Sequence, residues 1–242
     1  MRFRINYNKL GKSIIYRIIS SLITILISYS VTKSWKFGLS IGLLDLIFKI
    51  INYYTFDTIW DTIFQKKIKP CVIWLTGLSG AGKSTIANEL IRNFEKNSIP
   101  YVLLDGDQIR RVIKETGYDY FSRRKHNLNV AYIASLLERQ GNVVIVTLIS
   151  PYRDVRYECR AICKNFIEVF VDTPLEECEK RDVKGLYKKA RSGEIENFTG
   201  ISSPYEESHN KEITIFTPNE TINSSAELIF NYIRNKKNHK RH

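Results

Sequence analysis

Apolar and polar positions divide the chain into two parts with different patterns. Residues 1–66 contain two long apolar stretches, Ile14 to Val31 and Phe37 to Phe56, with a short polar turn between them. In the rest of the chain, short apolar runs of strand length alternate with longer amphipathic stretches of helix length. We therefore expect a two-helix hairpin over residues 1–66 and a separate α/β domain over residues 67–242.

The second part reads as alternating strands and helices. Its apolar runs predict strands at Cys71–Thr76, Tyr101–Leu104, Val143–Ile149, Phe166–Val171 and Ile213–Phe216. Pro174 suits the first turn of a helix. The amphipathic stretches predict further helices at Ser84–Glu95, Gln108–Thr116, His126–Gln140, Asp154–Lys164 and Ser224–Arg234. This order predicts an α/β fold of three layers, in which helices cover both faces of a parallel sheet.

The two apolar stretches of residues 1–66 have lengths that suit a membrane. Stretches of 18 and 20 residues form helices of roughly 27–30 Å, which matches the thickness of a hydrocarbon core. Asp45 and Lys49 interrupt the second stretch, and burying them requires that they pair with each other or face the partner helix. We expect a transmembrane hairpin. A hairpin lying on the membrane surface and a soluble hairpin are the alternatives.

Charge is distributed unevenly between the two parts. The net charge of +12 at first suggests nucleic-acid binding. However, residues 1–70 hold 11 lysines and arginines against three aspartates, whereas the other 172 residues hold 26 basic against 22 acidic residues. Basic residues flank the hairpin on both sides, which by the positive-inside tendency places both of its ends in the cytoplasm. The sequence therefore predicts attachment to the inner (cytoplasmic) membrane, an α/β domain in the cytoplasm and no nucleic-acid partner.

The first predicted strand and helix of the α/β domain enclose a phosphate-binding loop. Its sequence, GLSGAGKS, fits the pattern G-x-x-x-x-G-K-[ST] in the required context. The glycines let backbone N–H groups point at phosphate oxygens, Lys83 supplies a cation, and the Ser84 hydroxyl ligates Mg²⁺. We therefore expect ATP and Mg²⁺ to bind here. The expected ATP-binding residues are Gly77, Leu78, Ser79, Gly80, Ala81, Gly82, Lys83, Ser84 and Thr85.

Carboxylates and arginines follow the second strand, at the sheet edge where open α/β folds bind ligands. Asp105 or Asp107 could orient an acceptor hydroxyl, take up its proton or hold Mg²⁺ through water. An Asp-Gly turn that caps the next helix is the alternative. Arg110, Arg124 and Asn127 are candidates for binding a second anionic substrate, because guanidinium groups suit phosphate and sulfate.

Longer stretches of the sequence resemble the adenylylsulfate (APS) kinase family over residues 68–234. They read IWLTGLSGAGKSTIANEL, LLDGDQIR, LISPYRDVR, FIEVFVDTPLEECEKRD and KGLYKKARSGEIENFTGISSPYE. Members of this family use Mg-ATP to phosphorylate the 3′-hydroxyl of adenylylsulfate, which activates sulfate. The resemblance implies a P-loop kinase fold and a nucleotide acceptor. It is also compatible with a homodimer, which is the state of many family members. The hairpin loosely resembles a small two-helix membrane domain.

The resemblance also assigns roles to residues. It makes Lys83, Asp107 and Ser150 the catalytic candidates, and Ser150 matches a serine that the family labels as a phosphorylated intermediate. We expect direct in-line transfer instead, because positioning and electrostatics suffice for a loose phosphoryl transition state. The stretch KGLYKKAR resembles a mobile lid with the basic residues Lys184, Lys188, Lys189 and Arg191. The residues implied to bind the acceptor are Asp105, Asp107, Arg110, Tyr118, Phe121, Arg124, Asn127, Ile149, Ser150, Pro151, Lys188 and Phe198.

Departures from the family pattern fall on the acceptor side. Gln108 replaces the usual Asn after D-G-D, and the G-F-S before the substrate arginine reads as stretched over Gly117 to Ser122, which leaves Tyr118 and Phe121 as alternative stacking aromatics. One residue also reads as missing before Gly141. Three functions therefore stay open. They are an APS kinase, a kinase for another nucleotide such as cytidine diphosphoramidate in surface-polysaccharide synthesis, and a membrane-anchored nucleotide-binding regulatory module.

Overall fold

The structure is a computed structural model that describes residues 7–64, 68–114 and 117–235. The chain divides into two compact units, Met1–Lys66 and Lys67–His242. Thr116, where the sequence predicts the end of a helix, lies outside the described residues.

Two long helices form the first unit. Helix α1 spans Tyr7–Thr32 and helix α2 spans Trp35–Phe64, so both apolar stretches are helical as predicted. Polar groups lie between the two helices: Lys49 Nζ donates to Asp45 Oδ2 at 2.7 Å and, across the hairpin, to Ser20 Oγ at 2.7 Å. Asp45 and Lys49 thus pair with each other and also face the partner helix.

No helix in the described part of the chain is long and apolar enough to cross a membrane. Serines, threonines and charged residues recur along both helices and lower their apolar content, as at Ser20, Ser21 and Thr24 of α1 and at Asp45 and Lys49 of α2. The predicted hairpin is confirmed, whereas the predicted crossing of the bilayer is not.

A five-stranded sheet forms the centre of the second unit. Its strands are β1 (Cys71–Thr76), β2 (Tyr101–Asp105), β3 (Val143–Thr147), β4 (Phe166–Asp172) and β5 (Ile213–Phe216). All neighbouring strands pair in parallel, in the order β2-β3-β1-β4-β5. The predicted parallel sheet is confirmed, and β1 lies at its centre with the phosphate loop at its carboxyl end.

Helices connect these strands. They are α3 (Lys83–Lys96), α4 (Gly106–Val112), α5 (Tyr120–Arg139), α6 (Arg153–Ile162), α7 (Leu175–Arg181), α8 (Leu186–Arg191) and α9 (Ile222–Asn235). Helix α5 begins six residues earlier than predicted, because the Asp119 side chain caps it by accepting from the Ser122 backbone N–H at 3.0 Å. This earlier start matters for the site, because it makes the segment around residue 123 helical.

Both faces of the sheet are covered by helices. Ile73 and Leu75 of β1 are buried in a core shared with α3 and α9. Val72 and Trp74 point to the opposite face and are buried in a core shared with α5 and α6. Side chains alternate in this way because successive strand residues project to opposite faces. The predicted three-layer α/β architecture is confirmed.

Candidate active site

Loops at the carboxyl ends of β1, β2 and β3 meet around one cavity of about 300 Å³. The segment Asp182 to Tyr187, which overlaps the first half of the predicted lid, and the pair Phe198 and Thr199 complete its wall. Most residues that the sequence suggested for ATP or the acceptor line this cavity. They are Ser79, Gly80, Gly82, Lys83, Ser84, Thr85, Asp105, Asp107, Arg110, Tyr118, Asn127, Ile149, Ser150, Pro151 and Phe198.

The phosphate loop joins β1 to α3 through glycines in conformations that other residues rarely adopt. Gly77 has a φ of 145°, and a Cβ atom there would lie 2.4 Å from the carbonyl oxygen of Val171. Gly82 has a φ of 101° and directly precedes α3. The turn lets Lys83 Nζ donate to the carbonyl oxygens of Gly77 at 2.9 Å and Leu78 at 2.7 Å. The lysine cation and the N-terminus of α3 thus lie at the same cavity wall, an arrangement that attracts phosphate.

Lys83 is held in a poorly solvated position. Burial lowers the pKa of its ammonium group to about 8, although nearby Cys178 and Asp107 act in the opposite direction. Its hydrogen bonds go to neutral carbonyl oxygens. An anionic phosphate beside Lys83 would therefore stabilise the charged lysine.

The remaining loop residues that the sequence assigned to ATP, Gly77, Leu78 and Ala81, do not line the cavity. Gly77 and Ala81 are buried. The Ala81 backbone N–H closes a tight turn by donating to Leu78 O at 3.2 Å. These three residues shape the loop from behind its binding face.

Asp105 and Asp107 both line the cavity but make different contacts. Asp105 Oδ1 accepts from the backbone N–H groups of Asp107 and Gln108 at 3.0 Å each. Asp105 therefore caps α4, which was the alternative interpretation of the Asp-Gly turn. The Asp107 carboxylate instead pairs with Lys184 of the lid. Partial burial raises the pKa of Asp107, but Lys184 outweighs burial and holds this pKa below its ordinary value. Asp107 is therefore an ionised carboxylate facing the cavity.

Two neighbouring arginines on α5 point in different directions. Arg123 is buried, lines the cavity and donates to Tyr118 O at 2.6 Å, to Thr199 Oγ1 and to Asn197 O. Arg124 pairs with Glu158 of α6, with Nε 2.8 Å from Oε1, and does not line the cavity. Arg124, which the sequence predicted to contact the acceptor, thus lies outside the cavity wall, and its neighbour Arg123 lines the cavity.

Counting the family pattern from Arg123 instead of Arg124 removes the insertion and the missing residue, whereas Gln108 and His126 still depart from the pattern. Counting from Arg123 puts Gly117, Tyr118 and Asp119 in the place of G-F-S without an insertion, and nothing is then missing before Gly141. His126 becomes the residue three positions after the arginine, where the family has Asn. His126 is buried and lines the cavity, next to Asn127.

Asn127 also contributes its side-chain amide to the cavity wall. The residue is 3% exposed, and its Nδ2 makes no hydrogen bond within residues 7–64, 68–114 and 117–235. A buried amide donor is costly to leave without an acceptor, so the position favours a ligand that supplies one.

Of the two alternative aromatic residues Tyr118 and Phe121, Tyr118 is the one that faces the cavity. Tyr118 lines it, and the Arg110 guanidinium lies 4.7 Å from the centre of its ring. Phe121 is 77% exposed, lies outside the cavity wall and contacts Tyr120 edge-on. Tyr118 is therefore the one of the two that is placed to contact a molecule in the cavity.

Ser150 lies between β3 and α6 in an uncommon backbone conformation. Its φ is 45°, and the residue is only 2% exposed. Its Oγ accepts from the indole N–H of Trp74 at 3.0 Å. The Ser150 hydroxyl is therefore hydrogen-bonded to a side chain that does not itself line the cavity.

Part of the cavity wall is formed by residues from the stretch around Tyr187 and by Phe198. Tyr187 donates from its hydroxyl to Ser79 O at 2.9 Å, and Phe198 packs edge-on against Tyr187 with ring centres 4.9 Å apart. Lys188, predicted to contact the acceptor, is exposed and does not line the cavity. Lining residues absent from the predicted set are Gly106, Arg123, His126, Thr147, Leu148, Asp182, Val183, Lys184, Leu186, Tyr187 and Thr199.

Comparisons with known proteins show which proteins this chain is similar to. The family model described as adenylylsulphate kinase matches residues 69–216. The adenylyl-sulfate kinase of Rippkaea orientalis is 48% identical over 65% of this chain and 88% of its own length. The enzyme of the same name from Halothermothrix orenii is 43% identical over 69% of this chain and 91% of its own.

A solved structure and a second family model add to these matches. The Mycobacterium tuberculosis APS kinase, solved with AMPPNP and APS, has a TM-score of 0.65 and 37% identity, covering 67% of this chain and 96% of its own. A family model described as a predicted membrane protein (DUF2061) matches residues 10–61. The first model spans more than half of the chain, and the relatives match nearly their whole length. The chain therefore belongs to the adenylylsulphate kinase family.

Proposed function

We propose that the chain is an APS kinase that transfers the γ-phosphoryl group of ATP to the 3′-hydroxyl of adenylylsulfate. The product would be 3′-phosphoadenylylsulfate, the activated form of sulfate. The observation that carries this proposal is that the phosphate loop, Asp107, Arg123 and Ser150 line one shared cavity. A kinase needs such a shared space, because donor and acceptor must meet in line.

The phosphate loop supplies the donor side of the proposed reaction. Lys83 and the N-terminus of α3 would neutralise charge on the phosphate oxygens of ATP. The exposed Ser84 hydroxyl, at the start of α3, would hold Mg²⁺, and the oxygen atoms of Asp105 and Asp107 on the same cavity suit this cation. When bound, Mg²⁺ would neutralise charge on the transferred group.

Asp107 and the arginines supply the acceptor side. The ionised Asp107 would accept the proton of the attacking hydroxyl, which makes it the general base. Arg110 and Arg123 would balance the charge of the acceptor. Tyr118 and Phe198 offer aromatic faces to its base.

Direct transfer suits Ser150 better than a phosphoserine intermediate. Its hydroxyl is buried and accepts a hydrogen bond from Trp74. Phosphorylating that oxygen would place about two negative charges in a buried position. We therefore assign Ser150 to the wall of the acceptor site.

Another nucleotide acceptor is the second candidate. His126 stands on the cavity wall where the family pattern has Asn, so the acceptor surface differs from that pattern at a buried position. A cytidine nucleotide such as cytidine diphosphoramidate is the named alternative. A regulatory module without turnover is disfavoured. Such a module needs neither Asp107 nor the cavity residues assigned to the acceptor, such as Arg110, Arg123 and Asn127.

The acceptor is tested by measuring ADP release from Mg-ATP with the full-length chain and each candidate nucleotide. Stimulation by adenylylsulfate, but not by cytidine diphosphoramidate, is the expected result. Stimulation by the cytidine nucleotide alone would replace the first candidate with the second. A chain that binds ATP but releases no ADP with either acceptor would favour the regulatory module.

We also propose that the hairpin attaches the kinase to the cytoplasmic membrane, with the kinase unit on the cytoplasmic side. Polar groups pair with one another between α1 and α2 and are partly buried there, whereas large apolar side chains are exposed on the outside. The helices also approach closely, since a Cβ atom at Gly42 would lie 2.1 Å from Ile25 Cγ1. Exposed apolar residues on both helices include Leu22, Leu26, Ile27, Phe37, Leu43, Leu44 and Phe48. Polar groups inside and apolar groups outside suit lipid better than water.

Alkaline carbonate extraction of cell membranes tests this attachment. We expect the full-length chain to stay in the membrane pellet. Replacing Leu26, Leu44 and Phe48 by serine should move the chain towards the soluble fraction, since these exposed side chains provide apolar contact area. Release of the unchanged chain by carbonate would contradict an embedded hairpin.

A further inference from the structure

The acceptor loop, defined here as Ile149, Ser150 and Pro151, is held in place by residues that do not line the cavity. Ser150 adopts a left-handed backbone conformation that a serine rarely takes. Such a conformation persists only where the surroundings enforce it. The groups that contact the carbonyl oxygens of this loop are therefore responsible for its geometry.

The first such group is the hydroxyl of Thr76, the last residue of β1. Thr76 Oγ1 donates to Ile149 O at 2.7 Å. Because its proton is used there, the neighbouring hydroxyl of Tyr205, 2.8 Å away, donates to Thr76 Oγ1. The backbone N–H of Gly77 also points at Ile149 O, at 3.4 Å. The start of the phosphate loop and the acceptor loop are thus joined at one carbonyl oxygen.

The second group is the guanidinium of Arg156, on α6. Arg156 is 1% exposed and donates to Ser150 O and to Glu206 O. Its Nε lies 2.9 Å from Glu168 Oε1, in an ion pair that is buried on both sides. The guanidinium carbon also lies 5.4 Å from the centre of the Tyr205 ring. Arg156 therefore contacts both the acceptor loop and the tyrosine that supports Thr76.

A third contact involves the same segment of chain. The backbone N–H of Glu206 donates to Pro151 O at 2.8 Å. All three carbonyl oxygens of the acceptor loop are therefore held by Thr76, Arg156 or the segment Tyr205–Glu206. Tyr205 is fixed in turn by stacking on Phe170, with ring centres 5.5 Å apart.

We propose that Tyr205 and Arg156 are positioning residues for phosphoryl transfer. They set the distance between the donor and acceptor sides by fixing the acceptor loop against the start of the phosphate loop. This inference rests on the proposed kinase function. An in-line reaction depends steeply on that distance, and a displacement of about 1 Å can lower the rate about 100-fold.

Tyr205→Phe is the sharpest test, because it removes one hydroxyl and keeps the stacked ring. We expect kcat for transfer to fall at least about tenfold while the affinity for ATP, measured by calorimetry, stays unchanged. Amide hydrogen exchange at residues 149–152 should become faster. Tyr157→Phe is the matched control, since Tyr157 is 56% exposed and its hydroxyl accepts a hydrogen bond from the side-chain amide of Asn210, away from the acceptor loop. We expect this control to match the unchanged protein in all three measurements.

Arg156 requires a paired change, because removing it alone leaves the buried Glu168 carboxylate with less compensation. The double variant Arg156→Gln/Glu168→Gln removes both charges. We expect it to lower kcat without changing ATP affinity. A normal kcat in Tyr205→Phe, or unchanged exchange at the acceptor loop, would overturn the proposal.

Failure of the proposed function would look different. The unchanged protein would then transfer no phosphoryl group to adenylylsulfate. The exchange comparison needs no acceptor, so it still decides whether Tyr205 holds the loop. Faster exchange with normal kcat would likewise overturn the positioning role.

Discussion

Replacing Arg123 by glutamine distinguishes the role of Arg123 from that of its neighbour Arg124 on α5, and it tests the cavity directly. Arg123 donates to Tyr118 O, Asn197 O and Thr199 Oγ1, so it joins the loop that carries Tyr118 to the segment around Phe198. Glutamine has a shorter side chain and fewer donors. Arg123→Gln should therefore release both aromatic walls of the acceptor site from each other.

The size of the effect follows from these contacts. A hydrogen bond from a charged donor contributes about 1.5–3 kcal/mol, and Arg123 makes three in a position that is 7% exposed. The cost of burying the guanidinium, which lowers its pKa, offsets part of this gain. We expect a net loss of about 3 kcal/mol in the free energy of unfolding. In a chain of this size that lowers Tm by about 6–12 °C.

Arg124→Gln is the matched control. Arg124 pairs with Glu158, and their side chains are 42% and 39% exposed. An ion pair this exposed adds little to stability because solvent screens it, so Tm should fall by at most about 4 °C.

The assay combines thermal unfolding of the full-length chain with acceptor-dependent ADP release. For Arg123→Gln we expect kcat/KM for the acceptor to fall about 100-fold or more, and for Arg124→Gln we expect it to stay within about threefold. The reverse pattern, with Arg124→Gln inactive and Arg123→Gln normal, would refute the placement of these residues.

Three further predictions concern the catalytic groups. First, ATP affinity should weaken as pH rises through about 8, by up to about tenfold per pH unit, because the empty site lowers the pKa of Lys83 and phosphate binding requires its charged form. Calorimetry from pH 6.5 to 9.5 would show this slope, and Lys83→Gln should lack it; a flat profile for the unchanged protein would contradict it. The same low pKa means that burying the charged lysine destabilises the folded chain below about pH 8, and that this cost disappears as pH rises towards the ordinary value of about 10.4. Second, Ser150→Ala should keep kcat within about threefold and lose about 1 kcal/mol of stability with the Trp74 hydrogen bond, whereas complete loss of transfer in a folded variant would contradict the view that Ser150 is not needed for the chemical step. Third, Asp107→Asn should lower kcat about 100-fold to 10,000-fold with ATP affinity retained, and a normal rate would remove Asp107 as the general base.

The strands and the phosphate loop could be predicted from the sequence because their signals are local. β1 and β5 have the predicted bounds, and β2 and β4 differ from prediction by one residue at their ends. Buried parallel strands are short apolar runs, and the glycines and lysine of the loop occupy fixed spacings. Both features are visible without knowledge of what packs against them.

The acceptor side could not be predicted as well, because distant parts of the chain determine it. Arg123 and Arg124 are adjacent, and on a helix their side chains point about 100° apart. The segment Asn197–Thr199, more than 70 residues away along the chain, selects Arg123 by accepting its hydrogen bonds. The regular spacing from Gly117 to the arginine was the one local signal that could have identified it.

The hairpin shows the same distinction. Its two helices were visible as apolar stretches, and pairing of Asp45 with Lys49 was expected if both were buried. Ser20, however, joins that pair across the hairpin, and only the packing of α1 on α2 brings it there. These polar residues interrupt the apolar stretches of the sequence, but in the structure they form one cluster between the two helices.

The proposed function requires that one cavity bring ATP together with the 3′-hydroxyl of adenylylsulfate. The most direct test is to incubate the full-length chain with Mg-ATP and adenylylsulfate and to identify the product by phosphorus NMR and mass spectrometry. We predict ADP and an adenylylsulfate that carries one new phosphomonoester at the 3′ position, and neither product with Lys83→Gln. Unchanged adenylylsulfate, alongside transfer to a cytidine nucleotide or no ADP at all, would contradict the account.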